Sequence, residues 1–349
     1  MKKFYSAYLL TFSIFIGSAA AQTEVLFNVP IGITPALSTA GLFIAYEQGY
    51  FRAQGINLIM NHVPRAGAQM IPFLASGQLL VGCGNLNAGL YNAIANDIPI
   101  KVVADKGTVT PNHGYLALLV RKAHVDSGRY KTLGDLKGMT IALTARGVSQ
   151  EIVLEKYLHQ AQLNLSDVRL INLSWGDMNV ALANGAIDAT IQVEPLVAKA
   201  VENGIAVRVK GDDEVYPNQQ SAVIMYSPVF INKHPEMAKR FMVAYVKGMR
   251  DYNDAFENNI NKEAIIDILL KHTKVKDRAT YDKVANVGLN PDAMLNIETM
   301  RADAQWLYQK RYIKNPADVD NIAELRFINY ARKVLGPYTP NKAFANVNP

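Results

Sequence analysis

From Val25 onward, apolar residues alternate with polar ones in short runs, and between those runs they recur every three or four positions. The alternating runs predict strands at residues 25–31, 57–63, 79–83, 100–105, 115–121, 139–143, 168–172, 186–192, 206–209 and 222–226. Helices are expected to open after Thr34-Pro35, Arg65, Asn85, Arg146, Trp175-Gly176 and Glu194-Pro195, next to proline or small polar start signals. The stretch from Gly41 to Gly77 shows the unit most clearly. Leu42, Ala45, Tyr46 and Gly49 keep helical spacing, and Gly49 reads as a stop. Ile56, Leu58 and Met60 then alternate with Asn57, Ile59 and Asn61 as a half-buried strand. Through Pro64-Arg65-Ala66-Gly67-Ala68-Gln69 the chain bends into a second helix. A strand running into a helix N-terminus aims free backbone N–H groups at one point, which suits an anion.

Strands alternating with helices predict parallel sheets, with ligands held at the C-terminal strand ends. Ten strands are many for one sheet, so two lobes are expected. The turn-rich segments TVTPNHG and GDDEVYPNQQS mark the breaks. The expected organisation is 22–111 as the first part of lobe one, 112–215 as lobe two, and 216–335 as the second, mainly helical part of lobe one. Residues 336–349 read as a tail. Two crossing segments make a hinge that allows closure around a solute. Beyond Tyr226 the spacing is helical: 235–256 places Met237, Phe241, Ala244, Tyr245 and Met249 on one face, 262–271 and 296–310 follow, and 321–335 carries Ile322, Leu325, Ile328 and Tyr330.

Composition adds export and excludes some chemistry. Among 349 residues, half are hydrophobic and 19% are charged, as in soluble globular proteins. Lys2-Lys3, an apolar run over 8–16 and Ala19-Ala20-Ala21 form the three parts of a secretory signal peptide, with cleavage expected after Ala21. Without Lys2 and Lys3, 34 basic residues face 30 acidic ones, a net +4, and they form no basic run, which argues against nucleic acid. The single cysteine, Cys83, excludes an intramolecular disulfide and lies far from the cleavage site, so a free periplasmic protein is expected rather than a lipid-anchored one. His62, His113, His124, His159, His234 and His272 form no metal-ligand spacing, and no phosphate-loop or nucleophile-elbow motif occurs, so no metal and no cofactor are expected.

The strings YEQGYFRAQGI and FLASGQ resemble the opening of the solute-binding proteins of ABC importers in the nitrate/sulfonate/taurine group, whose relatives include thiamine-pyrimidine binders. Leu133-Gly134-Asp135-Leu136-Lys137-Gly138, Thr144 to Gln150, Ala181 to Ala189 and Val193-Glu194-Pro195 continue the resemblance in order and spacing. It implies an α/β fold of the two-lobe periplasmic binding protein type (type II). Each lobe is then a mostly parallel sheet flanked by helices, with a two-strand hinge and C-terminal helices on lobe one. It also implies a monomer without catalysis, delivering a small solute to an ABC permease with a cytoplasmic ATPase.

Site candidates are the loop residues on facing strand ends. They are Thr34, Arg65, Gly67, Gln69, Gly84 and Asn85 on lobe one, His113 in the hinge, and Thr144, Arg146, Ser149, Trp175, Asp177 and Glu194 on lobe two. Family members often carry small residues where Arg65 and Arg146 stand. Two guanidinium forks there would clamp a carboxylate, sulfonate or phosphate; alternatively both point outward from helix first turns. Glu194 and Asp177 instead favour an amine or ring N–H, or are acids at helix starts. Trp175 would stack on a flat ligand or fill its lobe. The expected solute is a small organic anion of sulfonate or carboxylate type, with a thiamine-type pyrimidine or other N-heterocycle as the alternative. A periplasmic sensor subunit is a further reading. A pyrimidine-synthase-like enzyme would need a cysteine-rich motif that this chain lacks.

Overall fold

In the computed structural model, which describes residues 25–63 and 67–340, all ten strands form within three residues of the expected ends. The proposed leader, Arg65 and residues 341–349 of the proposed tail lie outside the described residues. The first sheet begins with β1 (Phe27–Ile33), α1 (Ala40–Glu47) and α2 (Tyr50–Ala53), separated by Gly49 at φ 70°. A left-handed glycine there ends one helix and turns the chain into the next. β2 (Ile56–His62) follows, burying Ile56 and Leu58 and exposing Asn57 and Ile59, then α3 (Ile71–Ser76), β3 (Val81–Asn85), α4 (Ala88–Ala95) and β4 (Lys101–Thr108).

The chain then crosses to the second sheet. Its elements are β5 (Leu116–Arg121), α5 (Lys122–Asp126), β6 (Thr140–Leu143), α6 (Ser149–Gln160), β7 (Arg169–Asn172), α7 (Trp175–Asn184), β8 (Ala189–Val193), α8 (Leu196–Glu202) and β9 (Ala206–Gly211). It returns as β10 (Gln220–Tyr226). The remainder is helical: α9 (Pro228–Lys233), α10 (Pro235–Phe256), α11 (Lys262–His272), α12 (Ile297–Gln309), α13 (Val319–Ile322) and α14 (Arg326–Leu335).

The sheet orders are β2-β1-β3-β10-β4 and β7-β6-β8-β5-β9. Both are mixed rather than purely parallel. β10 runs against β3 and β4, and β5 runs against β8 and β9. The reversed strand in each sheet is the one that enters from the other, so its direction is set by the crossing and not by a strand–helix–strand unit. The remaining four strands of each sheet share one direction, and their C-terminal ends face the seam.

Two features refine the helical part. α10 lies against α1, with Phe241, Ala244, Tyr245 and Met249 buried as their spacing requires. At the crossing, a Cβ on Gly248 would stand 2.1 Å from the Gly41 carbonyl, so only glycine fits. The single helix expected over 321–335 is broken into α13 and α14. Between them Ala323 is extended, bridges Val102, and Glu324 N–H donates to the Val102 carbonyl at 2.8 Å. The break covers the outer edge of β4, whose backbone groups would otherwise stand unpaired.

Candidate functional site

Where the shared strand direction ends, the two sheets meet. β1 runs into Thr34-Pro35 and β2 into Val63, while Trp175-Gly176 follow β7 and Leu196 follows β8. Pro35, His62 and Val63 from the first sheet, Trp175, Gly176 and Leu196 from the second, and His272, Thr273 and Lys274 line a crevice of about 330 Å³. A cavity of that size lies at the small end of those that hold metabolites. The Lys274 ammonium lies over the backbone of Gly176, where an added Cβ would come within 2.7 Å of it, and it forms no ion pair among the described residues. His272 is committed: its Nε2 lies 2.7 Å from Glu47 and its ring stacks on Phe43 at 4.7 Å. Trp175 is buried and supplies one apolar wall of the crevice.

Deeper in the seam, hydrogen bonds join the two sheets directly. Asn85 Nδ2 donates to Ser149 Oγ at 3.0 Å and to Ser221 Oγ at 3.3 Å, all three buried. Ala88 N–H donates to the Gly147 carbonyl at 2.8 Å, and Ser149 N–H to that of Leu86 at 3.3 Å. Gly67, at φ 99°, passes so close to β3 that a Cβ would sit 2.7 Å from Gly84 Cα. On the other side, Leu37 N–H donates to the Glu194 carbonyl at 3.1 Å. Gly67, Gly84, Asn85, Ser149 and Glu194 therefore all lie along this seam, with Thr34, Trp175 and Pro35 at its edge.

Other sequence candidates are occupied elsewhere. Both Glu194 carboxylate oxygens are taken, Oε2 by Ala198 N–H at 3.0 Å and Oε1 by Ala285 N–H at 3.2 Å. Burial pushes this carboxyl up to about 7, against those two bonds. Arg146 Nε donates to buried Glu151 at 2.7 Å, and Glu151 also accepts from Gly147 N–H and the Tyr312 hydroxyl. Arg146 is thus paired through Nε, and Arg65, the other arginine of the expected clamp, lies outside the described residues. Thr144 donates through N–H and Oγ1 to Gln150, both at 2.8 Å, and so fixes its own loop. Asp177 is exposed and caps α7 together with Ser174. Gln69 is exposed. His113 lies behind the hinge, bonded to Glu257 at 3.0 Å, facing a separate cavity of about 620 Å³.

The sequence reading missed Lys106. It is 1% exposed, in β4 just before the crossing, and its Nζ donates to Ser38 Oγ at 2.9 Å. It is the one buried lysine or arginine among the described residues. The available signal was a charge inside the apolar run VVADKGT, where a buried cation needs a reason.

The comparisons with known proteins agree with this geometry. The family model described as NMT1/THI5 like matches residues 37–259. A "Putative thiamine biosynthesis protein" of Haemophilus influenzae is 26% identical over 152 residues, 44% of this chain and 45% of the relative, so the match spans less than half of either. The periplasmic nitrate-binding protein NrtA of Synechocystis PCC 6803 superposes with a TM-score of 0.75 at 14% identity, covering 91% of this chain and 92% of that one. The alkanesulfonate-binding protein SsuA of Xanthomonas axonopodis pv. citri, bound to MOPS, gives 0.68 at 18%, covering 88% and 100%. The desulfurization enzyme DSZB gives 0.62 at 15%, covering 88% and 99%. At these identities the likeness shows the periplasmic binding protein fold, which carries binders and at least one enzyme.

Proposed function

The chain belongs to the NMT1/THI5 like family, and on that premise we propose that it is the periplasmic solute-binding component of an ABC importer. Its solute is a small organic anion of sulfonate or carboxylate type, and its partner is a membrane permease with a cytoplasmic ATPase. The observation that carries this reading is the crevice between the sheets, walled by Pro35 and Val63 on one side and by Trp175 and Leu196 on the other. Its lining includes Lys274, which forms no ion pair among the described residues and whose positive charge favours an anion. Hydrogen bonds across the seam from Asn85 to Ser149 and from Leu37 to Glu194 hold the lobes together, and a solute touching both lobes favours that closed arrangement over an open one.

A neutral N-heterocycle is the second reading. Trp175 offers a flat wall, and the Haemophilus influenzae relative bears a thiamine-related name. A thermal-shift screen of ethanesulfonate, benzoate, nitrate and 4-amino-2-methylpyrimidine, followed by calorimetry, separates the two. The proposal expects a one-to-one complex with an anion; binding of the pyrimidine alone supports the second reading, and binding of none contradicts both.

A further inference from the structure

Lys106 sits where an interior cation has no partner of its own. β4 shifts register against β10 at this residue, Val223 pairing with Asp105 and Ala222 with Gly107, so Lys106 is the unpaired residue of the irregularity. The Asp105 carboxylate is fully engaged by Gly107 N–H (2.8 Å), Thr108 Oγ1 (3.0 Å), Gln220 Nε2 (2.7 Å) and Asn290 N–H (2.9 Å), and the Tyr245 hydroxyl bonds its carbonyl. The other titratable neighbour is Cys83, whose thiol burial pushes up to about 12, so it is neutral at pH 7. Lys106 makes no ion pair among the described residues, and its hydrogen bond to Ser38 uses one of three N–H donors. The Tyr115 hydroxyl is buried near Ser221 with the Asp212 and Asp105 carboxyls as its charged neighbours, and makes no hydrogen bond of normal geometry. Ser38 links the two groups: a Cβ on Gly107 would stand 2.7 Å from the Tyr115 hydroxyl and 3.3 Å from Ser38 Cβ, and Ser38 Oγ accepts from Lys106. Tyr115 and Ser38 both adjoin the seam, since the Tyr115 carbonyl accepts from Glu194 N–H and Leu37 N–H donates to the Glu194 carbonyl.

We propose that Lys106, with the hydroxyls of Ser38 and Tyr115, is the counter-charge for the anionic head of the solute, a carboxylate or sulfonate. This deepens the solute-binding reading above and rests on it. A buried amine left alone is costly, and burial pushes Lys106 down to about 8. An anion beside it restores the proton, so above pH 8 binding draws a proton from solvent. Affinity for a non-titrating anion then falls about tenfold per pH unit beyond that point.

The test is calorimetry of benzoate and ethanesulfonate on the full chain at pH 6.5 and 8.5, each in Tris and in triethanolamine, with Lys106→Met beside the wild type. The proposal expects net proton uptake at pH 8.5 and none at 6.5, and at least tenfold weaker binding in the variant without proton uptake. It also expects the ligand-free variant to melt at a higher temperature than the wild type, because a charge reserved for a ligand burdens the empty protein. Unchanged anion affinity in a folded Lys106→Met overturns the assignment while leaving the solute-binding reading intact. A lower melting temperature of the ligand-free variant overturns it too, since Lys106 then serves the fold. No anion binding to the wild type overturns both.

Discussion

Glu194 offers a quantitative test of how the seam is built. It is 1% exposed, and its carboxyl is raised from an ordinary 4.5 to about 7, chiefly by burial. A difference of about 2.5 in pKa corresponds to about 3 kcal/mol. Between pH 4.5 and 7 the folded protein holds a proton that the unfolded chain has released. Stability therefore falls as pH rises through that window; the deficit is complete above about 7 and absent below about 4.5. Glu194→Gln keeps the shape and removes the titration. Urea unfolding of both proteins at pH 4.5, 5.5, 6.5 and 8 should give stabilities within about 1 kcal/mol at the acid end. At pH 8 the Gln variant should lead by about 2 kcal/mol, the amide having lost one of the two accepted backbone bonds, worth about 1 kcal/mol. Asp303 and Asp251, also pushed up by burial, titrate equally in both proteins and cancel in the difference. Parallel pH profiles would refute the reasoning, as would a variant that is less stable at pH 8.

Arg146→Ala should leave solute affinity within about twofold and lower stability by about 1–3 kcal/mol, because buried Glu151 loses a charged donor; a tenfold loss of affinity in calorimetry would restore the clamp. Asn85→Ala removes a bond that spans the seam and should weaken solute binding about tenfold, read by calorimetry, with only a small change in melting temperature. Gly248→Ala should destabilise the chain by about 1–3 kcal/mol in urea, since its methyl group meets the Gly41 carbonyl where α1 and α10 cross; an unchanged midpoint contradicts that close approach.

The strands were legible because their period of two and their turn residues are local signals, and each falls within three residues of its expected place. The direction of β5 and β10 was not, since it depends on which sheet each strand enters. The break between Ile322 and Arg326 was hidden for a similar reason: the apolar spacing continues through it, and only the edge of β4 explains why Ala323 leaves the helix. At the seam, small loop residues such as Gly67 and Asn85 were readable from the strand–loop–helix unit. For Arg146 and Asp177 the partners were not legible, because residue type at a helix start does not reveal them: Glu151 lies one turn along and Ser174 three residues back. Lys106 was overlooked because a charge in a strand is ordinarily on an exposed edge, and its burial comes from β10 and the segment at Ser38 packing over it.

The claim that one small anion is held between the two sheets at Trp175 can be read directly from fluorescence. The chain has two tryptophans, and Trp306 lies in α12, bonded to Glu155, so Trp306→Phe leaves Trp175 as the sole indole. Titrating that variant with whichever anion gives a one-to-one calorimetric isotherm should change Trp175 emission saturably, with the same dissociation constant. A full calorimetric isotherm with no change in Trp175 emission would contradict the account, because the solute would then be bound away from the crevice.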